Sequence, residues 1–185
     1  MPAAELLRAG ERATSRSAFY RRAKVGAYER IARGVYLPSD ADPADWDWLE
    51  AAAKHPKATV CLASALAYYD LTDEIPRALD VAIPRGSRTP ATEGAIAWHH
   101  FAADSFGLGR TTIVIPGSNV HIGIYGPERS IADAFRLRGS LGYALGRDAL
   151  RTWLGRGGQP ADLLEVASTP PRTRGPPLRT TEASG

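Results

Sequence analysis

The chain has 185 residues, of which 44% are hydrophobic, a proportion that supports a folded core and argues against disorder along its whole length. Its apolar runs fall short of the roughly 20 residues that a transmembrane helix needs, and its N-terminus has no apolar segment typical of a signal peptide. Its single cysteine, Cys61, excludes an internal disulfide and a multi-cysteine zinc site. We therefore expect a cytoplasmic protein with no membrane partner, in which Cys61 is a small buried residue.

The formal net charge is only +3, but it is unevenly distributed. Residues 1–38 contain eight Arg or Lys and three Glu, which gives +5, whereas residues 39–103 contain five Arg or Lys and ten Asp or Glu, which gives −5. A basic segment joined to an acidic one indicates that nucleic acid binds at one surface, and it argues against nonspecific attraction over the whole molecule.

The beginning of the basic segment predicts a helix-turn-helix. Residues 3–9 carry apolar side chains at helical spacing, and Gly10 permits a turn. A second helix, capped by Thr14 or Ser15, is predicted to run to about Val25.

A β-hairpin is predicted to follow this second helix. Gly26 ends the helix, and strands are predicted over residues 28–32 and 35–37. The tight turn between them falls at Arg33–Gly34. Helices and hairpin together predict a small winged helix-turn-helix domain over residues 1–38.

After a polar linker, residues 45–167 predict a mixed α/β domain, so that the fold class of the whole chain is α+β. The predicted helices are 45–54, 59–69, 126–138, 141–154 and 160–167, and the predicted strands are 79–83, 95–101, 112–115 and 120–125. In the first of these helices, Trp46 is expected in the core and Trp48 at a domain or partner interface. Residues 168–185 contain four prolines and one leucine, too little apolar area to offset the entropy of ordering, and are predicted to be a disordered tail.

The second helix has two unlike faces. At 100° per residue, Phe19 and Ala23 point toward a core, and the opposite face is basic with an aromatic hydroxyl. Arginine can pair with guanine in the major groove, and serine, tyrosine and lysine can hold phosphates, so this face predicts contact with double-stranded DNA. The hairpin adds cations that can reach the backbone or the minor groove. The predicted DNA-binding residues are Ser17, Tyr20, Arg21 and Lys24 on the exposed face, Arg16 and Arg22 on its flanks, and Arg30 and Arg33 on the hairpin. The alternative is an ordinary surface helix with solvated charges.

Three segments of the sequence resemble the AbiEi family of antitoxins from bacterial abortive-infection toxin–antitoxin systems. The stretch SRSAFYRRAKVGAYERIARGVYLP is similar to the winged helix-turn-helix of that family, which ends in R-G-V-Y, here residues 33–36. The stretch TVCLASALAYYDLTDEIPRALDVAIPRGSR resembles the helix with A-L-x-x-Y that precedes a strand and P-R-G. The stretch GPERSIADAFRLRG resembles the helix with E-R-x-x-x-D-x-F. The ordered series covers about residues 5–165.

The resemblance implies a cytoplasmic antitoxin that represses its own operon through the N-terminal domain and neutralises a toxin of nucleotidyltransferase type with help from the C-terminal domain. The implied partners are operator DNA and the cognate toxin. The sequence departs from the family in two ways: no full helix precedes the helix-turn-helix pair, and a proline-rich tail stands where further helices are usual. We therefore expect the short head to depend on the acidic body, or on a second copy in a homodimer on DNA. The alternative is a toxin-neutralising module that has lost DNA binding.

We predict no enzymatic site, no metal site and no cofactor. His99 and His100 are neighbours in a predicted strand and face opposite ways, so the metal alternative pairs one of them with His121 and with Asp80 or Asp104. The segments PRGSR and GLGR lack the spacing of a phosphate-binding loop. No Ser–His–Asp order or paired-carboxylate arrangement stands out.

The polar run Glu128, Arg129 and Asp133 opens a predicted helix. Its charges suit the helix dipole and i,i+4 pairing better than catalysis.

Overall fold

The structure is a computed structural model that describes residues 7–8, 15–32, 34–39 and 45–168. Within these residues the protein is α+β. The strands are β1 (Leu7–Arg8), β2 (Tyr28–Ala32), β3 (Val35–Pro38), β4 (Thr59–Val60), β5 (Leu79–Pro84), β6 (Ile96–Phe101), β7 (Arg110–Val114) and β8 (His121–Tyr125). The helices are α1 (Arg16–Lys24), α2 (Trp46–Lys54), α3 (Leu62–Tyr68), α4 (Pro127–Arg136), α5 (Arg138–Leu141), α6 (Tyr143–Gly155) and α7 (Pro160–Ser168).

The strands form two sheets. The small N-terminal sheet has the order β1-β3-β2 and is antiparallel throughout. The larger sheet has the order β6-β5-β4-β8-β7 and is mixed, because β5 runs parallel to β6 and β4 runs parallel to β8, whereas the other two pairs are antiparallel.

Local sequence signals set several of these elements. The Asp45 carboxylate caps α2 by accepting the backbone N–H of Asp47 at 3.1 Å. Pro127 occupies the first turn of α4, where its missing N–H costs no helical hydrogen bond. Gly117, with φ +74°, turns the chain between β7 and β8. The sequence predicted a helix start or a turn at each of these three places.

The predicted helix over residues 3–9 is wrong at Leu7 and Arg8, which form β1. Leu7 pairs with Tyr36 and Arg8 with Val35, and the Leu7 side chain is buried. The edge of β3 offers unpaired backbone groups that a short extended segment satisfies, and this pairing partner lies far along the chain. Residues 3–6 and 9 lie outside the described residues.

The predicted helix over residues 59–69 is wrong in its first turn, because Thr59 and Val60 form β4. This short strand is central in the large sheet, between β5 and β8, and both its side chains are fully buried. A strand covered on both faces has no polar alternation, so periodicity alone does not distinguish it from a buried helix.

The main core joins the N-terminal hairpin to the body. Ile31, Val35 and Leu37 of the hairpin belong to one cluster of buried side chains with Leu49 and Ala51 of α2. The same cluster extends to buried side chains of β4, β5 and β8. The boundary predicted between residues 38 and 45 therefore crosses a shared core, and the division into two domains stays a prediction.

The prediction that Trp46 of α2 lies in the core is wrong, whereas the interface predicted at Trp48 stays a prediction. Trp46, expected in the core, is 45% exposed in the first turn of α2. Trp48 packs against the main core, with its ring 5.8 Å from that of Tyr68.

At the other end of the chain, α7 continues through Ser168, and residues 169–185 of the predicted tail lie outside the described residues. No helix in the part that the structure describes is long and apolar enough to cross a membrane.

Candidate nucleic-acid interface

Helix α1 has the ends that the sequence predicts. The Ser15 Oγ caps it by accepting the backbone N–H of Ala18 at 3.3 Å, and it also lies 3.1 Å from the Ser17 Oγ. The helix ends at Lys24 with Val25 as its C-cap, and Gly26 follows with φ +82°, a conformation that glycine adopts without strain.

The two faces of α1 are arranged as the sequence predicts. Phe19 is buried and Ala23 is half-buried on the inner face. The exposed side chains are Ser17, Tyr20, Arg21, Arg22 and Lys24. The side chain of Arg16 lies outside the described residues. Three cations in the last turn also suit the negative end of the helix dipole, so the charge pattern stabilises the helix as well as presenting a basic surface.

An aromatic clamp, formed by Phe19, Tyr20, Tyr28 and Tyr36, holds α1 on the hairpin. The Phe19 ring stacks on Tyr28 with centroids 4.9 Å apart and meets Tyr36 edge-on at 5.2 Å. The Tyr20 ring lies 6.3 Å from that of Tyr36, also edge-on. Such pairs stabilise by about 0.5–1.5 kcal/mol beyond the area they bury. The clamp fixes the direction in which the basic face of α1 points.

Arg22 is partly engaged within the protein. Its guanidinium lies 5.9 Å from the centre of the Tyr28 ring, within the range of a cation–π contact. We therefore place Arg21 and Lys24, rather than Arg22, at the centre of the candidate interface.

The hairpin follows α1 closely and is fastened at its base. The Ser39 Oγ donates to the Gly26 carbonyl at 2.5 Å, and the Ser39 N–H donates to the Ala27 carbonyl at 3.2 Å. Between Arg30 and Ala32 the register shifts, as in a β-bulge, which increases the local twist.

The hairpin places one predicted contact residue at the surface. Arg30 is exposed on β2 and pairs in register with Tyr36 of the clamp. Gly34, with φ +77°, lies in the turn as predicted, whereas Arg33 lies outside the described residues.

The structure does not bring the histidines together. His99 on β6 bonds Asp80 on β5, with 2.9 Å between Nε2 and Oδ1, and the His100 Nε2 lies 2.9 Å from the Thr89 Oγ1. His121 begins β8, which β5 and β4 separate from β6. Among the described residues, no group of three or more His, Cys, Asp or Glu side chains is placed to hold a metal ion. The metal alternative that pairs His99 or His100 with His121 is therefore wrong.

Arg129 and Asp133 form a buried structural pair. The Arg129 Nε donates to Asp133 Oδ2 at 2.7 Å, and its Nη1 donates to the carbonyls of Ser105 and Leu108, both at 2.9 Å. Its guanidinium also lies over the Tyr125 ring at 4.5 Å. These contacts give the buried Arg129 guanidinium and the Asp133 carboxylate hydrogen-bond partners inside the protein. They agree with the structural role that the sequence suggests for this pair.

Cys61 is fully buried, as expected. Burial, followed by the nearby Asp80 and Asp133 carboxylates, holds the pKa of its thiol well above the ordinary value. The thiol therefore stays protonated and is a poor nucleophile.

Two features escaped the sequence reasoning. The first is the role of Tyr28 and Tyr36 in the clamp, for which the only signal was their position on facing strands of a predicted hairpin. The second is a groove lined by Trp48 of α2 and Tyr68 of α3. Its two rings come from separate helices, so no local pattern marks it.

No protein-family model matches the chain, and no curated protein matches it significantly.

Proposed function

We propose that this protein binds double-stranded operator DNA as a transcriptional autorepressor and serves as the antitoxin of a toxin–antitoxin system. The observation that carries the DNA-binding part is the exposed basic face of α1, which is clamped at a fixed angle beside a hairpin. In this proposal, residues 1–38 are the DNA-binding unit, which presents α1 beside the hairpin, and residues 45–167 are the body that faces the partner.

The clamp and the hairpin support DNA binding at this surface over an ordinary basic helix. Arg21 and Lys24 extend from the same exposed side of α1, and Arg30 extends from the adjacent strand. A duplex presents phosphates on both sides of its major groove, so a helix and an adjacent hairpin can contact the groove and its border together. In the proposed complex, Arg21 faces base edges or phosphates, Lys24 and Tyr20 hold phosphates, and Arg30 follows the backbone.

The antitoxin part of the proposal is supported by the sequence resemblance. All three resembling segments fall on ordered elements: the first on α1 and the hairpin, the second on β4, α3 and β5, and the third on α4. Two of the three motif charges of the third segment, Arg129 and Asp133, pair with each other inside the protein. Recognition of a toxin would then belong to other surfaces of the body.

The test is binding of the purified full chain to labelled duplex DNA from upstream of its own gene, measured by fluorescence anisotropy at fixed salt. A duplex of the same length and composition with scrambled sequence is the control. We expect at least about a thousandfold tighter binding to the upstream duplex, the lower end of specific over non-specific binding. Equal affinity for the two duplexes, or no binding to either, would contradict the proposal.

A second candidate is a toxin-neutralising module without DNA binding. The observation that favours it is β1, because Leu7 and Arg8 form a strand where the sequence predicts the supporting helix of the pair. Co-expression with the product of the neighbouring gene separates the two functions. Rescue of growth by a chain that does not bind the upstream duplex would favour this second candidate.

A further inference from the structure

A groove with aromatic and acidic walls lies where α2, α3 and the segment before β5 meet. Its volume is about 280 Å³. Its principal lining residues are Asp45 and Asp47 at the start of α2, Trp48, Tyr68 at the end of α3, and Ile75 and Arg77 in the segment that leads to β5. We call it the Trp48 groove.

The apolar part of the Trp48 groove is unusually open to solvent. Ile75 is 92% exposed and Tyr68 is 38% exposed, and the Trp48 and Tyr68 rings lie 5.8 Å apart at a tilt of 41°. Ile75 is therefore almost uncovered by the described residues, Tyr68 is partly exposed, and Trp48 is half-buried against the main core. Paired aromatic rings at an open surface are typical of sites that hold the flat face of a proline ring or an arginine side chain.

The charge of the groove is predominantly negative. Asp45 and Asp47 stand at one rim, and Asp73 and Glu74 precede Ile75 in the same segment, whereas Arg77 is the one cation among the described lining residues. Partial burial and the neighbouring carboxylates of Asp45 and Glu50 raise the pKa of Asp47. A cationic ligand at this rim would relieve that repulsion.

We propose that the C-terminal segment, residues 169–185 of the same molecule, docks in the Trp48 groove. Its sequence, TPPRTRGPPLRTTEASG, contains two Pro-Pro pairs, each followed within two residues by arginine. Consecutive prolines favour the extended polyproline II conformation, which aromatic grooves recognise. Three arginines against a single glutamate give the segment a charge opposite to that of the groove.

The segment is long enough to reach the groove from the end of α7. The Arg136 Nη2 donates to the Ala167 carbonyl at 3.1 Å, which places the end of α7 beside the end of α4. Helix α4 packs against α3, whose last residue, Tyr68, lines the groove. At about 3.1 Å per residue, residues 169–185 span roughly 50 Å, which exceeds the diameter of a domain of this size. The docking does not depend on DNA binding.

Paramagnetic NMR on the full chain tests this proposal. A nitroxide attached to Thr181→Cys should remove most of the signal intensity of the Trp48 indole N–H and the Tyr68 amide, while the fully buried Cys61 stays unlabelled. Replacing the arginines of the segment (Arg172→Gln, Arg174→Gln and Arg179→Gln) should restore both signals. The matched control, Glu182→Gln, should leave the signals as weak as in the labelled parent. These four positions lie in residues 169–185, so the comparison leaves the packed core untouched.

Two results would overturn the proposal. One is full intensity of the Trp48 and Tyr68 signals in the labelled protein, or a weak reduction spread evenly over the surface. The other comes from a mixture of two samples, spin-labelled protein without ¹⁵N and ¹⁵N-enriched protein without the spin label. If the Trp48 signal in this mixture falls as strongly as in the chain that carries both labels, the segment docks on a second copy.

Discussion

At the residue scale, the arginines of α1 and α4 lie in opposite environments. Arg21 and Lys24 are both exposed, so the Arg21 guanidinium is accessible to a phosphate. Arg129 is 3% exposed, and its guanidinium is engaged by Asp133, two backbone carbonyls and an aromatic ring. The position of an arginine in the fold, more than its sequence motif, therefore decides whether it can bind a ligand here.

Replacing Arg129 by methionine should strongly destabilise the fold. Arg129→Met keeps much of the side-chain volume but leaves Asp133 buried without its closest partner, a change that typically costs about 3–5 kcal/mol. Urea unfolding at neutral pH measures the destabilisation. Arg147→Met is the matched control, because Arg147 is exposed and pairs only with its neighbour Asp148 among the described residues; it should change stability far less.

The same variant should show a defined pH dependence. Burial raises the pKa of Asp133, and the Arg129 and Arg136 guanidinia oppose this effect, so removal of Arg129 raises the pKa further. The folded variant then holds a proton on Asp133 more tightly than the unfolded chain does. Its stability deficit relative to the original protein should narrow as pH falls from neutral toward the ordinary aspartate value. A deficit that stays constant or widens on acidification would contradict this account of the pair.

The position of a side chain could be predicted from the sequence where the spacing along a single helix determines it. The 100° spacing along α1 placed Phe19 inside and Tyr20 outside, as the structure has them. The i,i+4 spacing indicated that Arg129 and Asp133 pair, but it could not indicate their burial, because the carbonyls that Arg129 bonds belong to a distant loop. The helical spacing did not predict the exposure of Trp46, because a side chain in the first turn of a helix can point past the end of the core.

At the element scale, the parts of the fold that carry local signals were predictable. A capping serine marks the start of helix α1, and glycines at positive φ mark its end and the turn of the following hairpin. These signals lie next to one another in the sequence, so the start and end of each element can be predicted locally. The two-residue strands β1 and β4 were missed because only partners from elsewhere in the chain define them. Strand β4 pairs with β5 and β8, and the latter lies about sixty residues away.

The aromatic clamp makes a prediction about α1. Phe19→Ala removes the ring that contacts both Tyr28 and Tyr36 and should cost about 3 kcal/mol, the lower end for a buried Phe→Ala change. Denaturant unfolding should show this destabilisation, and hydrogen exchange should show reduced protection of the α1 amides. Tyr20→Ala is the control, because Tyr20 is 49% exposed and its removal should destabilise much less. Equal effects of the two changes would argue that Phe19 does not anchor α1.

At the scale of the whole molecule, a basic head and an acidic body share one hydrophobic core. Ile31, Val35 and Leu37 pack with Leu49, so the hairpin is supported by the body, as its small size led us to expect. The sequence indicated the charge division and the α+β class. It could not indicate the strand order of the large sheet or the Trp48 groove, because both arise from contacts between segments far apart in the chain.

The salt dependence of DNA binding tests the central claim most directly. We compare the original protein, Arg21→Ala with Lys24→Ala, and the control Arg147→Ala with Arg151→Ala, which removes the same charge from exposed positions on α6. The plot of log K against log salt has a negative slope, and its magnitude should decrease by about 0.9 for each phosphate that the protein no longer neutralises. The slope of the α1 variant should therefore be shallower by up to about 2, and its affinity should be weaker. The control should keep both slope and affinity. An unchanged slope for the α1 variant, or an equal fall in the control, would contradict DNA binding through the exposed face of α1.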